Sequence, residues 1–167
     1  MSVDAHRTSG PRGIRCSVLT ISDTRDAQTD TSGRAIADLL QQSGHAVADH
    51  RIAKDEPVEV AAAVRSFLTR DDVHAIVTTG GTGIARRDNT YDALAAMFER
   101  TLPGFGELFR ALSYAEIGAA AMLTRATAGI VDRRVVFLLP GSEHAVRLAM
   151  TKLILPELGH VVRELRR

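Results

Sequence analysis

The stretch that decides the fold is AIVTTGGTG at residues 75–83, which is followed five residues later by Asp88. Its apolar first half is typical of a buried β-strand, and a helical pattern begins near Thr90. Glycines at such a junction let backbone N–H groups approach an anion, and the start of the following helix adds partial positive charge. A strand, a glycine-rich loop (residues 80–83) and a helix in this order predict a phosphate-binding loop.

Asp88 has two interpretations at this position. A carboxylate beside a bound phosphate is repelled unless a cation lies between them, so the residue favours a magnesium-bound nucleotide or phosphate ester. The alternative is structural, a tight strand-to-helix turn with a helix-capping Asp, because short glycine motifs also occur by chance. The residues alone leave both interpretations open.

Length and composition exclude several classes of protein. The chain has 167 residues, of which 45% are hydrophobic, and this is enough for one domain with a full core. A formal net charge of +1 and an aromatic content of 4% are unlike a nucleic-acid-binding protein. No apolar run reaches the ~18 residues of a membrane span. The single cysteine, Cys16, excludes an internal disulfide and favours a reducing, cytoplasmic location.

The chain is predicted to form a single domain. Residues 1–13 are charged and small without an apolar segment, so we predict a disordered lead-in before a domain over residues 14–167. Strand patterns cover residues 15–21, 45–52, 75–79, 126–131 and 135–139, with helical patterns between or after them.

Connection lengths predict the arrangement of these strands. Helical crossovers predict parallel strands with helices on both faces of the sheet. Residues 132–134 are too short a link for a crossover helix and predict an antiparallel pair. The fold class is therefore a three-layer α/β/α sandwich with a mainly parallel, mixed, Rossmann-like sheet.

Three further loops follow predicted strands, and each carries polar residues. They contain Ser22-Asp23, Asp55 and residues 140–142. Because ligands bind beyond the carboxyl ends of parallel strands, we expect these loops to gather beside the glycine-rich loop. Considered without a family, Asp55 is better explained as a cap for the helix that Pro57 opens.

The same motifs resemble those of a known family. Residues 79–83 with Asp88, and residues 140–142, are similar to the molybdopterin-binding fold of the MogA and MoaB proteins of molybdenum cofactor biosynthesis. The resemblance extends from about residue 15 to about residue 158. Segments that look like the MoaB branch in particular are residues 22–23, 30–33, 104–110, 112–113 and 116–118.

What the resemblance implies is a molybdopterin adenylyltransferase. The terminal phosphate of molybdopterin would attack the α-phosphate of magnesium ATP, giving adenylyl-molybdopterin and pyrophosphate, and a downstream protein would insert the metal. The resemblance implies that Asp55 and Asp88 are catalytic and bind Mg²⁺. The residues that it implies for substrate binding are Ser22, Asp23, Gly80, Gly81, Thr82, Gly83, Ser113, Thr124, Pro140, Gly141 and Ser142.

Two positions depart from the family's usual pattern. Tyr91 stands where the family often has Pro, and Lys54 replaces the Pro that usually precedes the acidic residue at position 55. Tyr91 either stacks near a ligand or is an ordinary half-buried helix residue. Lys54 either meets a triphosphate or is a solvated surface lysine. Residues 30–33 are best interpreted as a helix cap, and Cys16 as a small core residue.

Two other functions stay open. One is a non-catalytic molybdopterin-binding MoaB paralogue, and the other is a nucleotide-binding regulatory domain that shares only the fold. The resemblance also implies a homo-oligomer, a trimer or a hexamer, whose apolar surface would include Phe105, Phe109 and Leu112 unless these belong to the core. The expected partners are ATP and molybdopterin, without nucleic acid or membrane.

Overall fold

The computed structural model describes residues 13–86 and 88–167. The predicted lead-in lies outside the described residues except for Gly13, whose N–H donates to the Gly44 carbonyl at 3.2 Å. The elements are β1 (Arg15–Ile21), α1 (Thr31–Gln42), β2 (Ala46–Ala53), α2 (Pro57–Leu68), β3 (Ala75–Thr79), α3 (Thr90–Ala95), β4 (Arg100–Thr101), α4 (Pro103–Ile117), a 3-10 helix (Gly118–Leu123), β5 (Thr127–Val131), β6 (Arg134–Leu139), α5 (Glu143–Ala149), a π-helical turn (Met150–Ile154) and α6 (Leu155–Arg166).

The described strands form a mixed sheet in the order β2-β1-β3-β6-β5-β4. Strands β2, β1, β3 and β6 are parallel to one another, and β5 is antiparallel to both β6 and β4. Asp132 and Arg133 connect β5 to β6 with positive φ angles of 46° and 59°, as in the two-residue turns of tight hairpins. The predicted mixed sheet and the predicted antiparallel pair are confirmed.

Helices cover both faces of this sheet. Successive residues of a strand point to opposite faces, so Phe137 lies in one apolar cluster while its neighbours Val136 and Leu138 lie in the other. Helices α1, α4, α5 and α6 pack on the first face, and α2 and α3 on the second. Their core residues are Ile36, Phe109, Val146 and Leu158 on the first face, and Val64 and Leu94 on the second.

The core includes part of the apolar segment around Phe105, Phe109 and Leu112, for which the family resemblance implies a role in oligomer formation. Phe109 is 1% exposed and belongs to the core, with the ring of Phe105 stacked on it at a centroid distance of 6.3 Å. The exposed apolar side chains of this region are Leu108, Tyr114, Ile117, Met122 and Leu123. They lie on α4 and on the 3-10 helix that follows it.

The structure also bears on the interpretation of Cys16 and on the search for a membrane-spanning segment. Cys16 is fully buried on β1, and burial raises the pKa of its thiol to about 12, so it is a core residue. None of the helices within residues 13–86 and 88–167 is long and apolar enough to cross a bilayer.

Candidate functional site

Hydrogen bonds join the loops that follow the parallel strands. The Ser22 N–H donates to the Ala53 carbonyl at 2.9 Å, which ties the end of β1 to the end of β2. The Gly80 N–H donates to the Leu139 carbonyl at 3.0 Å, which ties the end of β3 to the end of β6. The Asp55 N–H donates to Oδ1 of Asp23 at 3.0 Å. The predicted convergence of these loops at one edge, called here the carboxyl edge, is confirmed.

The first two residues of the glycine-rich loop need to be glycine. Gly80 and Gly81 have φ angles of +100° and +68°, in the region that side chains disfavour. A Cβ on Gly80 would lie 2.1 Å from the Ile21 carbonyl oxygen, and one on Gly81 would lie 3.1 Å from Cγ2 of Thr90. The loop backbone therefore lies directly on the end of β1 and the start of α3. Thr82, which follows, is buried.

A cavity of about 500 Å³ opens at the carboxyl edge, and Asp55 is one of its lining residues. Oδ1 of Asp55 accepts a hydrogen bond of 2.6 Å from the Thr90 hydroxyl, which fixes the carboxylate against the first turn of α3. Asp55 does not occupy the cap position of α2, because that position is held by Glu56, whose side chain makes no capping hydrogen bond. The cavity lining consists of Asp23, Lys54, Asp55, Glu56, Pro57 and Asn89.

Asp88 has a different environment. Its Oδ2 accepts a hydrogen bond of 2.7 Å from the Ala85 N–H, and its own N–H donates to the Ala85 carbonyl at 2.9 Å. The carboxylate also packs on Gly83, where a Cβ would lie 2.3 Å from Oδ2. Asp88 thus closes its own loop, whereas Asp55 faces the cavity. The helix-capping alternative fails here as well, since Asn89 precedes α3.

Arg125 organises the same loop, and no sequence motif indicated it. Its Nη2 donates to the carbonyls of Gly83 at 2.8 Å and Asp88 at 2.7 Å. Its Nη1 lies 3.1 Å from the Asp92 carboxylate, and its guanidinium carbon lies 4.3 Å from the centre of the Tyr91 ring. Tyr91 is therefore a half-buried helix residue that stacks on an arginine, and its stacking near a ligand stays a prediction.

Thr124 and Ser113 lie away from the 500 Å³ cavity. Thr124 lines a second cavity of about 380 Å³ together with Tyr91, Arg110 and Arg125, and its hydroxyl accepts from the Ala126 N–H at 3.3 Å. Ser113 is buried on α4. Of the predicted substrate-binding residues, Asp23 thus lines the first cavity, Thr124 lines the second, and Ser113 lies in the interior.

Side chains of other elements donate hydrogen bonds to the carbonyls of the loop at residues 140–142. The Pro140 carbonyl accepts a hydrogen bond of 2.9 Å from the Thr79 hydroxyl. The Gly141 carbonyl accepts two, from the Ser32 hydroxyl at 2.9 Å and from Nη2 of Arg25 at 2.8 Å. Ser142 caps α5, since its Oγ accepts from the Ala145 N–H at 3.2 Å.

Asp30 is the buried anchor of the neighbouring loop. It caps α1 through the Gly33 N–H at 2.9 Å, which confirms the predicted helix cap. Its other oxygen accepts a hydrogen bond of 2.7 Å from the Thr20 hydroxyl and lies 2.9 Å from Nε2 of His50. The Asp30 side chain is 1% exposed, so the carboxylate needs these partners to remain in the interior.

The match to a family model gives the class of protein. Residues 17–160 match the model described as "Probable molybdopterin binding domain". Together with the mixed sheet and the loops gathered at its carboxyl edge, this match defines a molybdopterin-binding domain.

Relatives give the family. A protein of Bacillus anthracis named Molybdenum cofactor biosynthesis protein B is 50% identical over 168 residues, covering 100% of this chain and 99% of the relative. The crystal structure of a molybdenum cofactor biosynthesis protein B has a TM-score of 0.92 at 49% identity, covering 95% of this chain and 99% of its own. The tungsten cofactor synthesizing protein MoaB from Pyrococcus furiosus has a TM-score of 0.84 at 38% identity, covering 94% and 99%. The chain belongs to the molybdenum cofactor biosynthesis protein B (MoaB) family.

Proposed function

We propose that the protein adenylylates molybdopterin with magnesium ATP. A terminal phosphate oxygen of molybdopterin attacks the α-phosphorus of ATP, a new P–O bond forms, and the bond from the α-phosphorus to the bridging oxygen of the β-phosphate breaks. The products are adenylyl-molybdopterin and pyrophosphate. Family membership supports the pterin, and the position of the Asp55 carboxylate in the cavity at the carboxyl edge is the observation that carries the reaction type.

The chain's own groups suit a reaction that needs positioned phosphates more than a covalent nucleophile. The backbone of the glycine-rich loop lies bare of side chains at Gly80 and Gly81, and Lys54 lines the same cavity as Asp55. The Lys54 ammonium and the Gly81 N–H would orient a triphosphate and offset its charge, while the Gly80 N–H is bonded to the Leu139 carbonyl. Cys16 does not serve as a nucleophile, because its side chain is fully buried and burial raises the pKa of its thiol to about 12.

Asp23 and Asp55 have the chemistry to hold magnesium. Mg²⁺ is usually bound by one or two carboxylates, with waters and substrate phosphates completing the octahedron. The two residues line one cavity and are joined through the Asp55 N–H at 3.0 Å. When bound, the ion would neutralise charge on the phosphates. We assign the metal to Asp55 with Asp23, and we assign to Asp88 the shape of the glycine-rich loop.

Pyrophosphate release from ATP in the presence of molybdopterin tests the proposal. We expect Asp55→Asn to lower the rate about 100-fold and to weaken the dependence on magnesium concentration. Asp88→Asn should lower the rate while leaving that dependence unchanged. Glu56→Gln, which removes a neighbouring carboxylate in the same cavity, is the matched control and should retain most of the rate.

Three outcomes would contradict parts of the proposal. If the magnesium dependence weakens equally in Asp55→Asn and Asp88→Asn, both carboxylates bind the ion, as the family resemblance implies. A wild type that binds molybdopterin but releases no pyrophosphate is a non-catalytic binding protein. Absence of any pterin binding would indicate a nucleotide-binding regulatory domain that shares only the fold.

A further inference from the structure

Two consecutive carbonyls of the loop at residues 140–142 are held by side chains of other elements. Thr79, at the end of β3, donates to the Pro140 carbonyl at 2.9 Å. Ser32 and Arg25 donate to the Gly141 carbonyl at 2.9 Å and 2.8 Å. Both peptide groups are thereby fixed in orientation.

The orientation of these carbonyls determines where the following N–H groups point. The described part of the chain contains no cis peptide bond, and in a trans peptide the C=O and N–H of one plane point in opposite directions. The Gly141 N–H therefore points away from the Thr79 hydroxyl, and the Ser142 N–H points away from Ser32 and Arg25. Backbone N–H groups of successive residues can together bind an anion.

This pair of N–H groups lies beside the glycine-rich loop. A Cβ on Gly141 would lie 3.4 Å from the Cα of Gly80, so the two backbones are in contact. A phosphate held by the glycine-rich loop is consequently within reach of the Gly141 and Ser142 amides.

Arg25 is itself held in place at three points. Its N–H donates to Oγ of Ser22 at 3.1 Å, which fixes its backbone just after β1. Its Nη1 donates to Oγ of Ser32 at 2.8 Å and lies 3.9 Å from Oδ1 of the buried Asp30. The rigid guanidinium fork spans Ser32 and the Gly141 carbonyl at the same time, which a lysine ammonium cannot reproduce.

We propose that Arg25, supported by Ser32 and Asp30, is a positioning residue that directs the N–H group of Ser142 at a substrate phosphate, beside the Gly141 N–H that Thr79 orients. This inference deepens the proposed function, because the phosphate would be that of ATP or molybdopterin. The shared chemistry is a phosphate group, so inorganic pyrophosphate is a suitable probe that requires no turnover.

The first test follows the amide resonances of Gly141 and Ser142 by NMR during titration with pyrophosphate. In the wild type both resonances should shift and saturate. Arg25→Met should weaken the pyrophosphate affinity about tenfold. Arg34→Met is the matched control, because Arg34 also donates to carbonyls of this region, those of Asp30 at 3.2 Å and Gln28 at 2.8 Å. It removes the same charge and should leave the affinity unchanged within about twofold.

Two more variants separate geometry from charge. Arg25→Lys retains the positive charge and loses the fork, so we expect it to bind pyrophosphate as weakly as Arg25→Met. Ser32→Ala retains Arg25 and removes one of the two hydrogen bonds on the Gly141 carbonyl, and should weaken binding about threefold. Wild-type affinity in Arg25→Lys, or amides that do not shift in the wild type, would overturn the inference. If the Arg25 variants unfold, Ser32→Ala decides by the same measurement.

Turnover gives a readout that a purely structural role would not change. In Arg25→Lys the KM for the substrate that occupies this position should rise several-fold, whereas a loss of folded protein would lower kcat alone. Titrations with ATP and with molybdopterin identify that substrate, and amides that shift with neither would refute the role. A wild type that binds pyrophosphate here but releases none from ATP would refute the adenylyltransferase and leave the role of Arg25 intact.

Discussion

Gly80 is the residue at which the glycine-rich loop is most restricted. Its φ of +100° is unfavourable for any side chain, and the Ile21 carbonyl occupies the place of its Cβ at 2.1 Å. The obstacle is backbone, which cannot move aside without disturbing the end of β1. A substitution here therefore affects both the stability and the shape of the loop.

We expect Gly80→Ala to lower the free energy of unfolding by about 2–4 kcal/mol, because strain at positive φ adds to a backbone clash. Urea denaturation measures the change. Gly104→Ala is the control, since nothing lies within 4 Å of its Cβ position near the start of α4. That variant should be neutral or more stable by up to about 1 kcal/mol. Equal losses of unfolding free energy in Gly80→Ala and Gly104→Ala would refute the predicted clash with the Ile21 carbonyl.

Some site residues could be predicted from the sequence because their roles are local. The positive φ angles at the start of the glycine-rich loop and the cap at Asp30 depend on neighbouring residues and have recognisable patterns. Arg25 and Arg125 could not be predicted in this way. Their guanidinium groups bond carbonyls that are distant in the chain, such as Gly141 and Gly83, and no local pattern encodes where a long side chain ends.

The glycine-rich loop, considered as an element, depends on Arg125. It continues into a turn in which the Ala85 N–H donates to Oδ2 of Asp88 and the Asp88 N–H donates to the Ala85 carbonyl. The guanidinium of Arg125 bonds the Gly83 and Asp88 carbonyls and so joins the two ends of the segment. We infer that the loop keeps its shape through this charge-assisted contact.

Arg125→Met should therefore accelerate hydrogen exchange of the Ala85 and Asp88 amides about tenfold, since the loop would open locally more often. NMR-detected exchange gives the rates. Arg133→Met provides a matched control, because Arg133 also bonds two backbone carbonyls, those of Leu165 and Arg166, each at 3.1 Å. The control should leave both rates unchanged. Unaltered exchange in Arg125→Met would show that the loop is self-supporting.

Strand β4 is an element that sequence patterns missed. Arg100 and Thr101 are exposed and too few to show alternation, and their pairing with Ile130 and Gly129 is provided by the partner strand. The sequence predicts the longer strands to within one or two residues, because packing against the core gives them apolar or alternating patterns. Periodicity thus identifies elements that carry core residues and misses those that only extend an edge.

At the scale of the whole molecule, the sheet separates two apolar clusters, and Cys16 lies fully buried within the first. Burial raises the pKa of its thiol from 9.0 to about 12. The folded state therefore keeps the proton at pH values where the unfolded chain loses it. The stability linked to this group is complete below pH 9 and is lost as the pH rises toward 12.

We expect the free energy of unfolding of the wild type, relative to that of Cys16→Ala, to fall by about 2 kcal/mol between about pH 8 and about pH 10.5. Urea denaturation of both proteins across this range gives the difference. Subtracting the free energy of unfolding of Cys16→Ala removes the contribution of tyrosines and lysines, which titrate in the same pH range in both proteins. A difference that does not vary with pH would show that the thiolate is accommodated in the fold.

The two-residue turn at Asp132 and Arg133 has a topological consequence for the site. In a purely parallel sheet, only the segments that come after each strand reach the edge where ligands bind. Because this turn reverses the chain, β5 runs backwards and its beginning lies at that edge. Arg125 precedes β5, so it arrives beside the glycine-rich loop from the opposite direction. Most residues of this site follow a strand in the chain. Arg125 instead precedes a strand, and it reaches the site only because β5 runs antiparallel to its neighbour β6.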